Sequence, residues 1–452
     1  MASLMRNLNL PQNHKRILNN IYWAVIGKSV NIISGLVIGI FVARYLGPAQ
    51  YGLMSYIISY VTLFSIFATF GLDSIEVREL SGAFANKEKI IGTAFALKIL
   101  LACSTIVLIL ITLLAFESDR FTFGAVLIYS FSMVFSSLSV IRNYFTAIVE
   151  NKYIVKTEII RTIISGIIKL FLLVNKFSLI WFIIASTLDC FLLGIGYVYS
   201  YHKKVGHITH WRFDKTVAKL LLKESFPLLL SGIAIVIYQK IDQVMIRNML
   251  DAEAVGHFAI ASGITDFIVF IPTVIAQTVT PVLIQARKND ISLYNSKKQQ
   301  FMDVLVWSSA LMALALSLSA HFTIMILYGT QYSEAIPVLQ VMAWRVIFVA
   351  LFAGSGQLII IENIQKYAAV RNILGCILSV FLNFILIPVW GITGSAIATI
   401  ITLSVSGYFS HIFIRPYRYL FRIQTSAIFF GWKRIVKTGY NYVRFEDIKS
   451  FG

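Results

Sequence analysis

Lys28, Lys98, Lys169, Lys240 and Arg345 each lie inside a run of apolar residues long enough to cross a bilayer, and Asp242 follows Lys240 in the stretch from Pro227 to Leu250. An ionised side chain at membrane depth costs about 2.5–3.5 kcal/mol on insertion scales, so such groups face a protein interior or a wet cavity. Arg142 and Arg161 lie nearer the ends of their runs, within reach of a head-group interface. The acids at depth are fewer: Asp189, Asp242 and Asp266, with Glu158 and Asp303 near ends. If each acid neutralises one base, positive charge is left over, and surplus buried cations hold an anionic visitor or water. For any single base an ion pair between helices is the simpler reading. Asp242 is two residues from Lys240 and five from Arg247, neither of which is helical i+3 or i+4 spacing. It therefore pairs with a base on another helix or titrates in ion coupling.

Other chemistries find no constellation. His202, His207 and His210 share a basic connection without carboxylates at ligand spacing, so no metal site is expected. Cys103, Cys190 and Cys376 are far apart within apolar runs and read as small buried hydrophobes. No connection is large enough to build a catalytic site outside the membrane, so the chain is not read as an enzyme.

The elements that position these charges are membrane helices. With 58% hydrophobic and 13% charged residues, the chain is too apolar for a soluble protein. Apolar runs predict twelve spans, near residues 19–44, 51–72, 91–116, 122–149, 157–174, 178–200, 226–249, 255–284, 301–328, 337–361, 369–388 and 391–414. The net charge of +18 is not a nucleic-acid signal, because Lys and Arg concentrate on alternate connections, while the intervening ones carry only Arg120 and Lys176. That asymmetry places both termini in the cytoplasm. Residues 1–18 are polar and the first span is long, so it is expected to be a retained helix rather than a signal peptide.

The longest connection, Tyr201 to Ser225, divides the spans six and six. The expected organisation is an N-terminal six-helix bundle over 1–200 and a basic cytoplasmic linker over 201–225, in which Asp214–Glu224 forms an amphipathic helix on the membrane face. A C-terminal bundle over 226–414 and a basic interfacial tail over 415–452 follow. The halves match at their first hairpins: Arg44 and Gly52 stand to Arg247 and Gly256 at offsets that differ by one residue. This points to a duplicated unit and makes Arg44 and Arg247 helix-end anchors.

Several stretches together resemble the bacterial lipid-linked oligosaccharide flippases of O-antigen (Wzx) type in the MOP exporter superfamily. They are Asn20–Trp23, Ala43–Gly52, Gly71–Asp73 with Arg78 and Glu79, Tyr238–Asp242, Val255–Ala259, and the closure from Asn383 to Ala398. The resemblance implies an all-α polytopic membrane protein of MATE-like architecture, with twelve transmembrane helices in two six-helix bundles around a central cavity. It also implies alternating access, and an undecaprenyl-pyrophosphate-linked oligosaccharide as cargo, moved from the cytoplasmic to the periplasmic leaflet of the bacterial inner membrane.

A pyrophosphate is an anion that surplus Lys and Arg would stabilise. On that expectation Lys28, Lys98, Lys240 and Arg345 attract the pyrophosphate, with Arg142, Arg161 and Lys169 as secondary cavity residues. Asp189, Asp242 and Asp266 serve in ion coupling or charge pairing. Tyr22, Trp23 and Tyr238 are candidates for sugar contacts, against interfacial anchoring. No cofactor is expected beyond a proton or cation gradient; other polysaccharide-assembly proteins are candidate partners and nucleic acid is not. Two alternatives share parts of this reading. A MATE-like exporter of organic cations would favour an acidic cavity, and a membrane-embedded glycan polymerase or transferase would need catalytic residues outside the membrane.

Overall fold

Apolar runs at membrane length can satisfy their backbone groups only within helices or closed barrels. In the computed structural model, which describes residues 12–82 and 86–449, every run is helical and no strand occurs among the described residues. Helix Gln12–Thr69 breaks at Gly47 (φ 72°, ψ 172°) into α1 (12–46) and α2 (48–69). That backbone region is essentially confined to glycine, and the Pro48 that follows has its φ preset for a first helical turn. The short α3 (Leu72–Gly82) and then α4 (Lys87–Phe116) follow. Next come α5 (Arg120–Ala147, in three segments), α6 (Asn151–Val174) and α7 (Leu179–Lys204).

Beyond a loop at 205–214 run α8 (Lys215–Met249), α9 (Ala252–Asn289), α10 (Ile291–Leu327) and α11 (Ala335–Ile361). Helix Ala368–Ser404 breaks at Gly391 (φ 57°) into α12 (368–390) and α13 (392–413), and α14 is Arg418–Lys449. With both glycine breaks counted, and with the charged α6 included, the described helices supply the twelve expected spans. The chain is an all-α, multi-pass membrane protein. Asp119, Asp214, Asp251 and Asp290 each open a helix by accepting from backbone N–H groups of its first turn.

The described residues form two units, 1–240 and 241–452. The division differs from the expected linker, because α8 is one unbroken helix from Lys215 and its first turns belong to the N-terminal core. Ala218 and Leu221 are buried there with Leu72, Ile91 and Tyr144. The Asp214–Glu224 stretch is thus the start of a span rather than a separate surface helix. The loop before it is docked. Trp211 packs edge-on against Phe95 and Tyr201 at 5.2 and 5.6 Å, and the Arg212 N–H donates to the Glu88 carbonyl at 3.3 Å. Gly92 makes the approach possible, since a Cβ there would lie 2.6 Å from the Arg212 nitrogen.

In the second unit α9, α10 and α11 share a core with Tyr417, Leu420 and Ala427. The tail expected from residue 415 is therefore part of this unit at its start. The Arg434 guanidinium grips Asp303 at 2.6 and 2.7 Å, which also holds the arginine above its ordinary pKa, and the Trp307 indole donates to the Ala427 carbonyl at 2.9 Å. Phe429, Phe430 and Trp432 remain exposed on its other side.

Candidate functional site

One face of α6 carries Glu158, Arg161, Thr162, Ser165 and Lys169, spaced at three and four residues, so a single polar stripe runs down an otherwise apolar helix. It meets α1 at Asn31. The Asn31 amide donates to Glu158 Oε2 at 3.1 Å, and its carbonyl oxygen accepts from Arg161 Nη2 at 3.2 Å and from the Thr162 hydroxyl at 2.5 Å. The Tyr197 hydroxyl of α7 donates to the other oxygen of Glu158 at 3.2 Å. Glu158 is thereby occupied by neutral donors. The Nε of Arg161 is buried and has no hydrogen-bond partner among the described residues.

Beside this network lies a cavity of about 230 Å³ within the N-terminal unit. Its polar lining is Asn31, Ser34, Tyr51, Arg161, Thr162, Ser165 and Lys169, while no carboxylate among the described residues lines it. Donors and cations therefore outnumber acceptors around the space, an arrangement suited to an oxyanion. Lys169 is partly neutralised by Asp189 of α7 at 2.7 Å, whose second oxygen is buried without a hydrogen bond.

The other sequence-predicted residues are not gathered at this cavity. Lys98 requires correction as an anion-attracting residue. Its side chain is 3% exposed and sits between Asp73 at 2.6 Å and Glu76 at 2.8 Å, with Ser139 accepting from it at 3.1 Å. Asn143 donates to both carboxylates. The physical reason is α3, which folds back so that its acids reach Lys98. Arg345 likewise is held by an ion pair with Asp266, so both belong to charge pairing.

Arg142 is exposed at the end of α5, and Arg44 is exposed close to the Gly47 break. Arg247 is half-buried in the last turn of α8, which ends at Met249, shortly before the Asp251 cap of α9. Lys240 is half-buried and makes no ion pair among the described residues; Asp242 is buried and accepts from the Gln243 N–H at 2.8 Å. The side chains of Tyr22 and Lys28 lie outside those described. The residues missed in the sequence, Asn31, Ser34, Thr162 and Ser165, had one available signal, the polar stripe on α6.

Residues 17–287 match the family described as "Polysaccharide biosynthesis protein". Among curated proteins none matches the chain in sequence. Solved structures do match its fold. The lipid II flippase MurJ, in an inward closed conformation, aligns with a TM-score of 0.67 at 17% identity over 92% of this chain and 93% of that one. An inward-facing multidrug resistance MATE family transporter of the MOP superfamily gives 0.66 at 14% identity over 88% and 96%. The eukaryotic MATE transporter AtDTX14 gives 0.63 at 13% over 91% and 99%. These likenesses show the twelve-helix fold of MOP superfamily transporters. With more than half its residues matched by the family, the chain belongs to the polysaccharide biosynthesis protein family.

Proposed function

We propose that the protein is a flippase that moves an undecaprenyl-pyrophosphate-linked oligosaccharide, an O-antigen-type repeat unit, from the cytoplasmic to the periplasmic leaflet of a bacterial inner membrane by alternating access. The observation that carries this reading is Arg161: a buried guanidinium nitrogen without an acceptor among the described residues, beside a cavity whose described lining has hydroxyls, an amide and a second cation but no carboxylate. A buried donor of a cationic group left without an acceptor is costly, and an anionic oxygen from a visiting ligand offsets that cost. The same lining disfavours an organic-cation cargo, which would call for acidic walls.

The anion site of this proposal is Arg161 with Lys169, and Lys28 and Lys240 are further cations. A proton or cation gradient would drive the exchange, with Asp189, Asp242 and Asp266 as the carboxylates to test for coupling or charge pairing; Asp189 and Asp266 form ion pairs with Lys169 and Arg345. The experiment is reconstitution of the full chain in proteoliposomes with a lipid-linked oligosaccharide confined to one leaflet. Transfer to the other leaflet, absent from protein-free vesicles, is expected. Uptake of an organic cation with no lipid transfer would overturn the proposal.

A further inference from the structure

α6 and α7 pack side by side and leave between them a groove of about 690 Å³. Its walls change character along the helix axes. At one end stand four exposed lysines, Lys152 and Lys156 on α6 and Lys203 and Lys204 on α7. Farther along, at helical repeats from the lysines, the walls become Ile160 and Ile164 on α6 and Leu192 and Ile195 on α7. From Lys152 to Ile164 the groove runs roughly 18 Å at 1.5 Å per residue. No Asp or Glu among the described residues lines it.

The lysines are not splayed away from the groove. Lys203 lies 5.8 Å from the ring centre of Tyr199 and Lys204 lies 5.4 Å from that of Tyr153, and both tyrosines line the same space. Ile160 and Ile195 are about half exposed, so at membrane depth the apolar stretch of the groove is open to an acyl or isoprenoid chain. Arg161 borders this groove and also the oxyanion cavity on α1, so one guanidinium is common to the two spaces.

A basic mouth continued by an apolar slot is complementary to an amphiphile with a phosphate head, and the shared arginine ties the groove to the site assigned to the cargo. We infer that the α6–α7 groove is where the isoprenoid pyrophosphate cargo docks, its phosphates among the four lysines and its chain along Ile160, Ile164, Leu192 and Ile195. Arg161 receives the head group as it moves inward. This rests on the flippase reading above.

The test uses the full chain in nanodiscs of neutral phosphatidylcholine, with undecaprenyl pyrophosphate as probe and native mass spectrometry as readout. Each lysine near an anionic head group is worth on the order of fivefold in affinity. Changing Lys152→Gln, Lys156→Gln, Lys203→Gln and Lys204→Gln together should therefore weaken binding by roughly several hundredfold. Ile164→Trp, which fills the apolar slot and keeps every cation, should weaken it as well, and it decides the matter if the lysine variant fails to fold. Inorganic pyrophosphate at the same concentration should not displace the probe, because it lacks the chain. Unchanged binding in the variants that fold would overturn the inference, as would displacement of the probe by phosphatidylglycerol at equal concentration, which would give the groove to bulk anionic lipid. Translocation by wild type that the groove variants leave intact overturns the groove alone. Probe binding at the groove without any translocation overturns the flippase reading instead.

Discussion

Lys98 and Arg161 are both basic residues within apolar runs, yet their surroundings divide them. Lys98 is enclosed by Asp73, Glu76, Ser139 and Asn143, whereas Arg161 has the Asn31 carbonyl and a cavity. Removing one member of a buried ion pair leaves a charge without compensation, a loss of about 3–5 kcal/mol. Lys98→Met should accordingly lower the thermal unfolding midpoint of the detergent-purified protein sharply. Adding Glu76→Gln in the same background should recover part of the loss; no recovery would mean that the cluster is not coupled as described. The sequence showed which bases are buried but not which are neutralised. Asp73 and Glu76 stand 25 and 22 residues before Lys98, in a stretch whose charges read as a solvated loop, and only the return of α3 sets them against it.

At the scale of elements, the apolar runs made the spans legible, and the expected boundaries at 44–51 and 388–391 fall at the Gly47 and Gly391 breaks. Gly47 adopts a conformation that costs another residue about 1–3 kcal/mol, so Gly47→Ala should reduce stability and the yield of folded protein, as judged by size-exclusion profile and melting. What stayed hidden was the union of the linker with α8: the Lys-rich start of that helix reads as interfacial, but Ala218 and Leu221 are drawn into the N-terminal core by contacts distant in sequence.

The loop before α8 depends on Gly92, and Gly92→Ala would drive a methyl into the Arg212 backbone. Cleavage by a soluble protease within 205–214 should become faster in that variant and remain slow in wild type. The Asp214 cap gives a pH dependence. The N–H groups of Val217 and Thr216 hold its carboxyl below the ordinary value of 3.8. The capping contribution is therefore fully present above that value and is lost as pH falls through the depressed one. Protection of the loop should stay level from neutral pH down to about 5 and weaken only in stronger acid.

For the whole molecule, a family match over residues 17–287 and the fold of MOP transporters establish what kind of protein this is, and the polar stripe on α6 is where the proposed function puts its anion site. The central claim is that Arg161 holds the anionic head group of the cargo. Its most direct test is the rate of lipid-linked oligosaccharide transfer in proteoliposomes for wild type, Arg161→Gln and Arg161→Lys, with melting measured on each. Losing a charge-assisted hydrogen bond of about 1.5–3 kcal/mol corresponds to a decrease of roughly ten- to a hundredfold. The account predicts a decrease of that size for Arg161→Gln, partial retention for Arg161→Lys, and a melting temperature close to wild type for both. Transfer at the wild-type rate by a folded Arg161→Gln protein would contradict it.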